Sequence, residues 1–305
     1  MLNQISIVDK VNVNSKIKLQ RFSKNKLKFF SSGPKNKQDI IERIGKSDCI
    51  LIGIETKIDK YVLKNCKNLK YICVCGTNLS NIDINETIKR QIIVSNVKGY
   101  CETSTAEYIF TEILNLAKGF NKYKWRNEIS EIKDKTLGII GLGAVGQEIA
   151  NIGLGFGMNI VYFSKTRKYK LEKNGIEFVN LKELLKKCDI ISLNVPPNTF
   201  VLSEKEFDLI KDGVIFINTS LGKIFDKNRF IEWIKKPNNF AIFDSIYCSD
   251  YKNLDKLPRV ICRNKIAAFT YESKKILTQK IIDNIQAFTL INNYDKKLKN
   301  KHLKL

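Results

Sequence analysis

Residues 136–150 read TLGIIGLGAVGQEIA, which puts Gly141, Gly143 and Gly146 at G-x-G-x-x-G spacing. Three glycines alone are a weak signal. Here they follow an apolar run with strand character and open an amphipathic stretch, and that context gives the motif its meaning. Gly141 allows a tight turn, Gly143 a close approach to the backbone, and Gly146 tight packing of helix on strand. The helix that starts there presents free N–H groups and a partial positive charge. A dinucleotide pyrophosphate is the ligand this arrangement suits, so the middle of the chain is expected to be a Rossmann domain.

The rest of the chain agrees with that reading. Short apolar runs alternate with amphipathic stretches throughout, the βαβ pattern of a parallel sheet. In the first third the strand candidates are 5–8, 27–30, 49–54, 71–74 and 92–95, with helices at Lys37–Ile44, 57–66 and 84–90 between them. A longer helix is expected over 104–118. The second series has strands at 137–140, 160–163, 190–194, 214–218 and Phe240–Phe243, with helices at 145–156, Leu181–Lys187, 204–209 and Lys227–Lys235. One helix, about 274–289, closes the chain. The expected domains are therefore 1–103 with 270–305, and 104–269.

The formal net charge of +22 invites a nucleic-acid reading. It is discounted because lysines outnumber arginines 45 to 8 and are scattered, as in a chain encoded by an AT-rich genome. No run approaches the roughly 18 apolar residues a membrane span needs. Residues 1–10 lack the pattern of a secretory signal, so a cytoplasmic protein is expected. None of the eight cysteines forms a C-x-x-C pair and the only histidine is His302, so no metal site is expected.

The second Rossmann strand ends about 20 residues beyond the glycines, where a site for NAD usually places a carboxylate for the ribose 2′-OH. This chain has Ser164, Lys165, Thr166 and Arg167 instead. A hydroxyl and two cations suit a 2′-phosphate, so NADP is expected in preference to NAD.

Further segments carry a resemblance. They are LKYICVCGTNLSNIDI (69–84), VKGYCETSTAEYIF (97–110), the glycine motif, CDIISLNVPPNT (188–199), INTSLGKIFD (217–226), FAIFDS (240–245) and NKIAAFT (264–270). Their number and order resemble the D-isomer-specific 2-hydroxyacid dehydrogenase family, and the second-strand ending resembles its glyoxylate and hydroxypyruvate reductase-like members. The resemblance implies a Rossmann domain inserted in a flavodoxin-like parallel α/β substrate domain, with hydride transfer to or from a small carbonyl or hydroxy-acid-like substrate. It implies that Cys75, Gly76 and Thr77 form the loop that holds the substrate carboxylate. It places Ala144 and Val145 at the pyrophosphate turn, Val195 and Pro196 beside the adenosine, Thr219 and Ser220 near the nicotinamide ribose, and Asp244 facing the nicotinamide amide. It also implies a homodimer, although the few residues between Lys118 and Thr136 leave the family's dimerisation arm short.

The chain departs from that family at the three residues that do the chemistry. Leu221 stands where the family has its carboxylate-binding Arg, Ser249 where it has Glu, and Lys265 where it has the proton-handling His. Leu for Arg removes a bidentate clamp, and Lys for His removes a group that titrates near neutrality. Leu221 and Ser249 are therefore not expected to be catalytic. If buried, Lys265 can still donate a proton to a developing alkoxide or bind a carboxylate as a point charge, with Asp250 as a candidate partner; the alternative is that it is a solvent-facing replacement in a degenerate site. Two readings stay open: an oxidoreductase with an altered active site, and a non-catalytic dinucleotide-binding sensor or scaffold.

Overall fold

The computed structural model describes residues 1–11, 13, 16–245, 251–263 and 265–302, the side chains of 16–17 and 292–302 excepted. Two units make up the chain, Met1–Tyr100 with Tyr271–Leu305, and Cys101–Thr270.

In the first unit β1 (Ile5–Ile7), α1 (Lys16–Gln20), β2 (Lys28–Phe29), α2 (Lys37–Ile44), β3 (Cys49–Ile52), α3 (Lys60–Asn65), β4 (Tyr71–Val74), α4 (Ile84–Lys89) and β5 (Ile93–Ser95) follow in order. The five strands pair in parallel in the order β2-β1-β3-β4-β5. The inner strands β1, β3 and β4 are buried on both faces, which is why they read as apolar runs. They are interrupted only by Ser6, whose hydroxyl donates to the Arg43 carbonyl at 2.8 Å. Helices start where Asn36, Asp59 and Asp83 accept a hydrogen bond from a first-turn amide. The C-terminal helix Tyr271–His302 returns to this unit, and Phe288 stacks on Tyr71 with ring centroids 4.3 Å apart. The strand order changes direction between β1 and β3, and that is where an open α/β sheet offers a crevice at its carboxyl edge.

The second unit opens with α5 (Glu102–Lys118). It continues through β6 (Thr136–Ile140), α6 (Ala144–Gly155), β7 (Asn159–Phe163), α7 (Tyr169–Glu172), β8 (Ile176–Phe178), α8 (Leu181–Lys187) and β9 (Ile190–Leu193). After these come α9 (Glu204–Phe207), β10 (Ile215–Asn218), α10 (Lys227–Lys235), β11 (Phe240–Phe243) and β12 (Val260–Cys262). All seven strands are parallel, in the order β12-β11-β10-β9-β6-β7-β8. This is the Rossmann arrangement with one further strand, and its switch point lies between β6 and β9. Two cores flank the sheet. One gathers Phe207, Phe216, Phe225, Phe230 and Trp233. The other lays Ile109, Ile113 and Ala117 of α5 against Leu137, Ile139 and Ile149.

The sequence pattern missed α1, α7, β8 and β12, each five residues or shorter. Such lengths carry less than one and a half helical turns or two strand repeats, so no period can develop in them. The closing helix is longer than its apolar pattern, because its lysine-rich end continues the backbone past the buried Ile281, Ile282 and Ile285. Among the described residues no helix is long and apolar enough to cross a membrane, and no group of three or more His, Cys, Asp or Glu could hold a metal ion.

Candidate active site in the second unit

The glycine turn joins β6 to α6, and its three glycines serve different ends. Gly141 has φ +97°, and a Cβ there would lie 2.4 Å from the Asn194 carbonyl oxygen. At Gly146 a Cβ would lie 2.3 Å from the Gly141 carbonyl oxygen. Both are therefore required to bring strand, turn and helix together. Gly143 is different. Its φ of −79° suits any residue, and nothing lies within 4 Å of its Cβ position. The fold does not need a glycine at 143, yet the backbone there is bare on its open side. Helix α6 starts at Gly143 with no side-chain cap and no acidic residue in its first turn. Its first amides, with Ala144 exposed at the rim, are left for an anion.

Beyond the turn, Asn194 follows β9 across the switch point. Its backbone N–H donates to the Ile140 carbonyl at 2.8 Å, while its buried side-chain Oδ1 has no partner. The next amide, of Val195, donates to the Ser220 hydroxyl at 3.2 Å, and that hydroxyl donates to the Leu193 carbonyl at 3.1 Å. Ser220 thus ties the end of β10 to the end of β9, with Thr219 half-buried beside it and Pro196 exposed. These residues line the carboxyl edge of the sheet next to the glycines, and they fit a dinucleotide lying along it.

At the end of β7 the structure adds what the sequence did not show. The Ser164 hydroxyl donates to the Thr166 carbonyl at 2.6 Å, while Lys165 is exposed. Arg167 donates through Nε and Nη2 to the two carboxylate oxygens of Glu172, at 2.9 and 2.8 Å. Its guanidinium carbon lies 4.8 Å from the Tyr169 ring centroid and 4.9 Å from that of Phe178. The Tyr162 hydroxyl also donates to Glu172, at 2.8 Å, and accepts from the Lys168 amide at 2.7 Å. Hydrogen bonding to Arg167 holds the Glu172 carboxyl below its ordinary range and the guanidinium above its own. Arg167 is thus a fixed cation with part of its donor edge facing solvent. Glu172 and Tyr162 were not singled out from the sequence, because an Arg and a Glu five residues apart share no regular helical or strand spacing.

Asp244 follows β11 and is mostly withdrawn from water. Burial pushes its carboxyl from the ordinary 3.8 up to about 6, although the amides of Ser245 and Ala267 donate to it at 2.7 and 3.3 Å. The Ala267 bond ties the segment carrying Lys265 to the end of β11. Two further contacts fix this edge. The Tyr108 hydroxyl donates to the Phe243 carbonyl at 2.8 Å, and Arg263 grips the buried carboxylate of Glu112 at 2.7 and 2.9 Å.

Comparison with known proteins agrees with this geometry. Residues 109–264 match the family described as D-isomer specific 2-hydroxyacid dehydrogenase, NAD binding domain. A glyoxylate reductase of Thermococcus litoralis is 33% identical over 275 residues, 82% of this chain and 82% of the relative. The chain belongs to the D-isomer specific 2-hydroxyacid dehydrogenase family. A D-3-phosphoglycerate dehydrogenase of Archaeoglobus fulgidus is 30% identical over 268 residues, 82% of this chain and 51% of that longer protein. An acyclic imino acid reductase, solved with NADPH and D-Arg, superposes with a TM-score of 0.81 at 26% identity, over 94% of this chain and 97% of its own. The family is one of NAD-dependent oxidoreductases acting on CH–OH groups, and the second unit of this chain holds its NAD-binding domain.

Within the family frame, Leu221 follows β10 and is 47% exposed, its carbonyl accepting from the Asn198 amide at 3.1 Å. Gly222 after it has φ +79°, and a Cβ there would lie 2.1 Å from Asn198 Oδ1, so this loop is tightly drawn. Lys265 is exposed. Ser249 and Asp250 lie outside the described residues. In the first unit Cys75 and Gly76 are buried and Thr77 is exposed. The Gly76 carbonyl accepts from the Val97 amide at 2.9 Å and that of Thr77 from Asn96 Nδ2 at 2.6 Å.

Proposed function

We propose that the chain is a cytoplasmic, NADP-preferring reductase of carbonyl or imine groups on a small carboxylic acid, with Lys265 as proton donor. The observation that carries the cofactor part is the bare backbone at Gly143, between two glycines that the fold itself requires. Gly141, Gly143, Ala144, Val145 and Gly146 would hold the pyrophosphate. Val195, Pro196, Thr219 and Ser220 would line the rest of the cofactor, and Asp244 would face its amide. Ser164, Lys165, Thr166 and the braced Arg167 favour a 2′-phosphate over a free hydroxyl, through charge-assisted bonds. The nicotinamide, when bound, supplies the hydride. The chain's own part is to orient the substrate, exclude water and deliver the proton.

In this reading the amides of Gly76 and Thr77 receive the substrate carboxylate without help from an arginine, because position 221 is Leu. The Cys75 amide is already given to the Ile52 carbonyl at 2.8 Å, so Cys75 serves only to anchor the loop. The Lys265 ammonium donates the proton to the developing alkoxide or amine. An imine substrate is favoured by the similarity to the acyclic imino acid reductase, and an ammonium is a suitable acid for a group that becomes an amine. The test is titration of the purified chain with NADPH and NADH, followed by NADPH consumption with 2-keto acids in the presence and absence of ammonia. Tighter NADPH binding, and turnover that Lys265→Ala abolishes while NADPH still binds, support the reading. Binding without any turnover would favour the non-catalytic sensor or scaffold.

A further inference from the structure

The crevice at the switch point of the first unit is closed by a polar clamp. Asp9, just past the end of β1, is buried to 6% exposure. Both its carboxylate oxygens accept from the Gly53 amide at 2.9 Å, and one also accepts from the Thr56 hydroxyl. From the other side, Asn81 Nδ2 donates to the carbonyls of Gly53 and Thr56 at 3.0 and 2.8 Å. The loop from 53 to 56, which leaves β3, is therefore held at both ends. Between those ends stands Ile54. Its Cγ2 is 2.4 Å from where a Cβ on Gly76 would lie, so the side chain rests directly on the Gly76 backbone. Gly76 is the centre of the 75–77 loop.

We propose that Asp9 is a positioning residue for the substrate loop: by fixing Gly53 and Thr56 it presses Ile54 onto Gly76 and so sets the position of the amides that receive the substrate carboxylate. This rests on the reading of residues 75–77 as the substrate loop. The physical logic is that a carboxylate receptor made of backbone amides, with no arginine to help it, depends on those amides being held in place before binding. A buried carboxylate accepting from an amide and a hydroxyl makes such a brace, because charge-assisted bonds are stiffer and stronger than neutral ones. Ile54 is 37% exposed and transmits the constraint through the direct contact of its Cγ2 with the Gly76 backbone.

The test uses the full chain, with oxalate as a substrate-like dianion, measured by calorimetric titration in the presence of NADPH. Asp9→Asn and Thr56→Val are expected to weaken oxalate by about tenfold or more, the cost of losing a hydrogen bond to a charged group. Thr56→Ser keeps the hydroxyl and is expected to retain oxalate affinity, and all three are expected to retain NADPH affinity. Hydrogen exchange on Asp9→Asn is expected to accelerate at residues 53–57 and 75–78 and to be unchanged at 139–147. Unchanged oxalate affinity in both Asp9→Asn and Thr56→Val would overturn the proposal, as would exchange that rises evenly over the whole first unit. If the wild-type chain does not bind oxalate, the substrate reading of the loop fails separately. Exchange then decides the coupling: acceleration at 75–78 supports it and its absence overturns it.

Discussion

Gly143→Ala separates what the fold needs from what the ligand needs. In the structure the added methyl meets no atom within 4 Å and the backbone φ is −79°, so no strain follows. At a helix N-cap, alanine is less favourable than glycine by on the order of 0.5 kcal/mol. Alanine also lowers the entropy of the unfolded chain, which offsets part of that loss by about 0.4–1 kcal/mol. Stability is therefore expected to move by less than about 1 kcal/mol. Binding is expected to suffer much more, because the methyl stands where the pyrophosphate would approach the backbone. An intruding methyl in a filled site costs about 1–3 kcal/mol, or roughly fivefold to 150-fold in affinity. Gly146→Ala is the control. Its methyl would lie 2.3 Å from the Gly141 carbonyl oxygen, and backbone cannot swing aside, so both stability and binding are expected to fall. Urea unfolding followed by tryptophan fluorescence gives the first quantity and calorimetric titration with NADPH and NADH the second. Unchanged affinity in a folded Gly143→Ala protein would refute this placement of the pyrophosphate.

Three further outcomes follow from the same geometry. Arg167→Ala should weaken NADPH by about 1–3 kcal/mol and leave NADH unaffected, as read by paired fluorescence titrations; an equal loss for both would remove the 2′-phosphate assignment. Asp244 binds its proton more tightly folded than unfolded, so its contribution favours the folded state at low pH and is lost as pH rises from about 4 to about 6. The displacement from 3.8 to about 6 corresponds to on the order of 3 kcal/mol, and Asp244→Asn should flatten that segment of the stability–pH curve and raise the urea midpoint at neutral pH; identical curves for the two proteins would contradict it. Lys265→Ala should lower the NADPH-dependent turnover of any accepted substrate by about 10²–10⁴, with NADPH affinity retained; unchanged turnover would exclude Lys265 as the acid.

Much of the second unit was legible in the sequence because its signals are local. The 136–150 segment carries strand, turn and helix in one stretch, and its glycines sit where backbone meets backbone. Helix starts at Asn36, Asp83, Asn180 and Asp226 are likewise local, one side chain capping one amide, whereas the helix expected from residue 57 begins only at Lys60, after its Asp59 cap. What could not be read are couplings between segments distant in sequence or without a period. Asp9 reaches Gly53 and Thr56 across 44 and 47 residues, and Arg263 reaches Glu112 across 151. The brace of Glu172 and Tyr162 on Arg167 depends on the turn after β7, which has no repeating pattern. Leu221 and Lys265 were located by motif order, but an exposed leucine and an exposed lysine carry no chemistry in their spacing.

The most direct measurement of function is NADPH consumption by the full chain against a panel of 2-keto acids, each alone and with ammonia, set beside the same panel with NADH. Expected is measurable turnover with NADPH, faster than with NADH, on at least one imine-forming or bulkier acid, and slow turnover of glyoxylate because Leu221 provides no arginine clamp. NADPH that binds but is consumed by no acid of the panel would contradict the assignment of a working reductase.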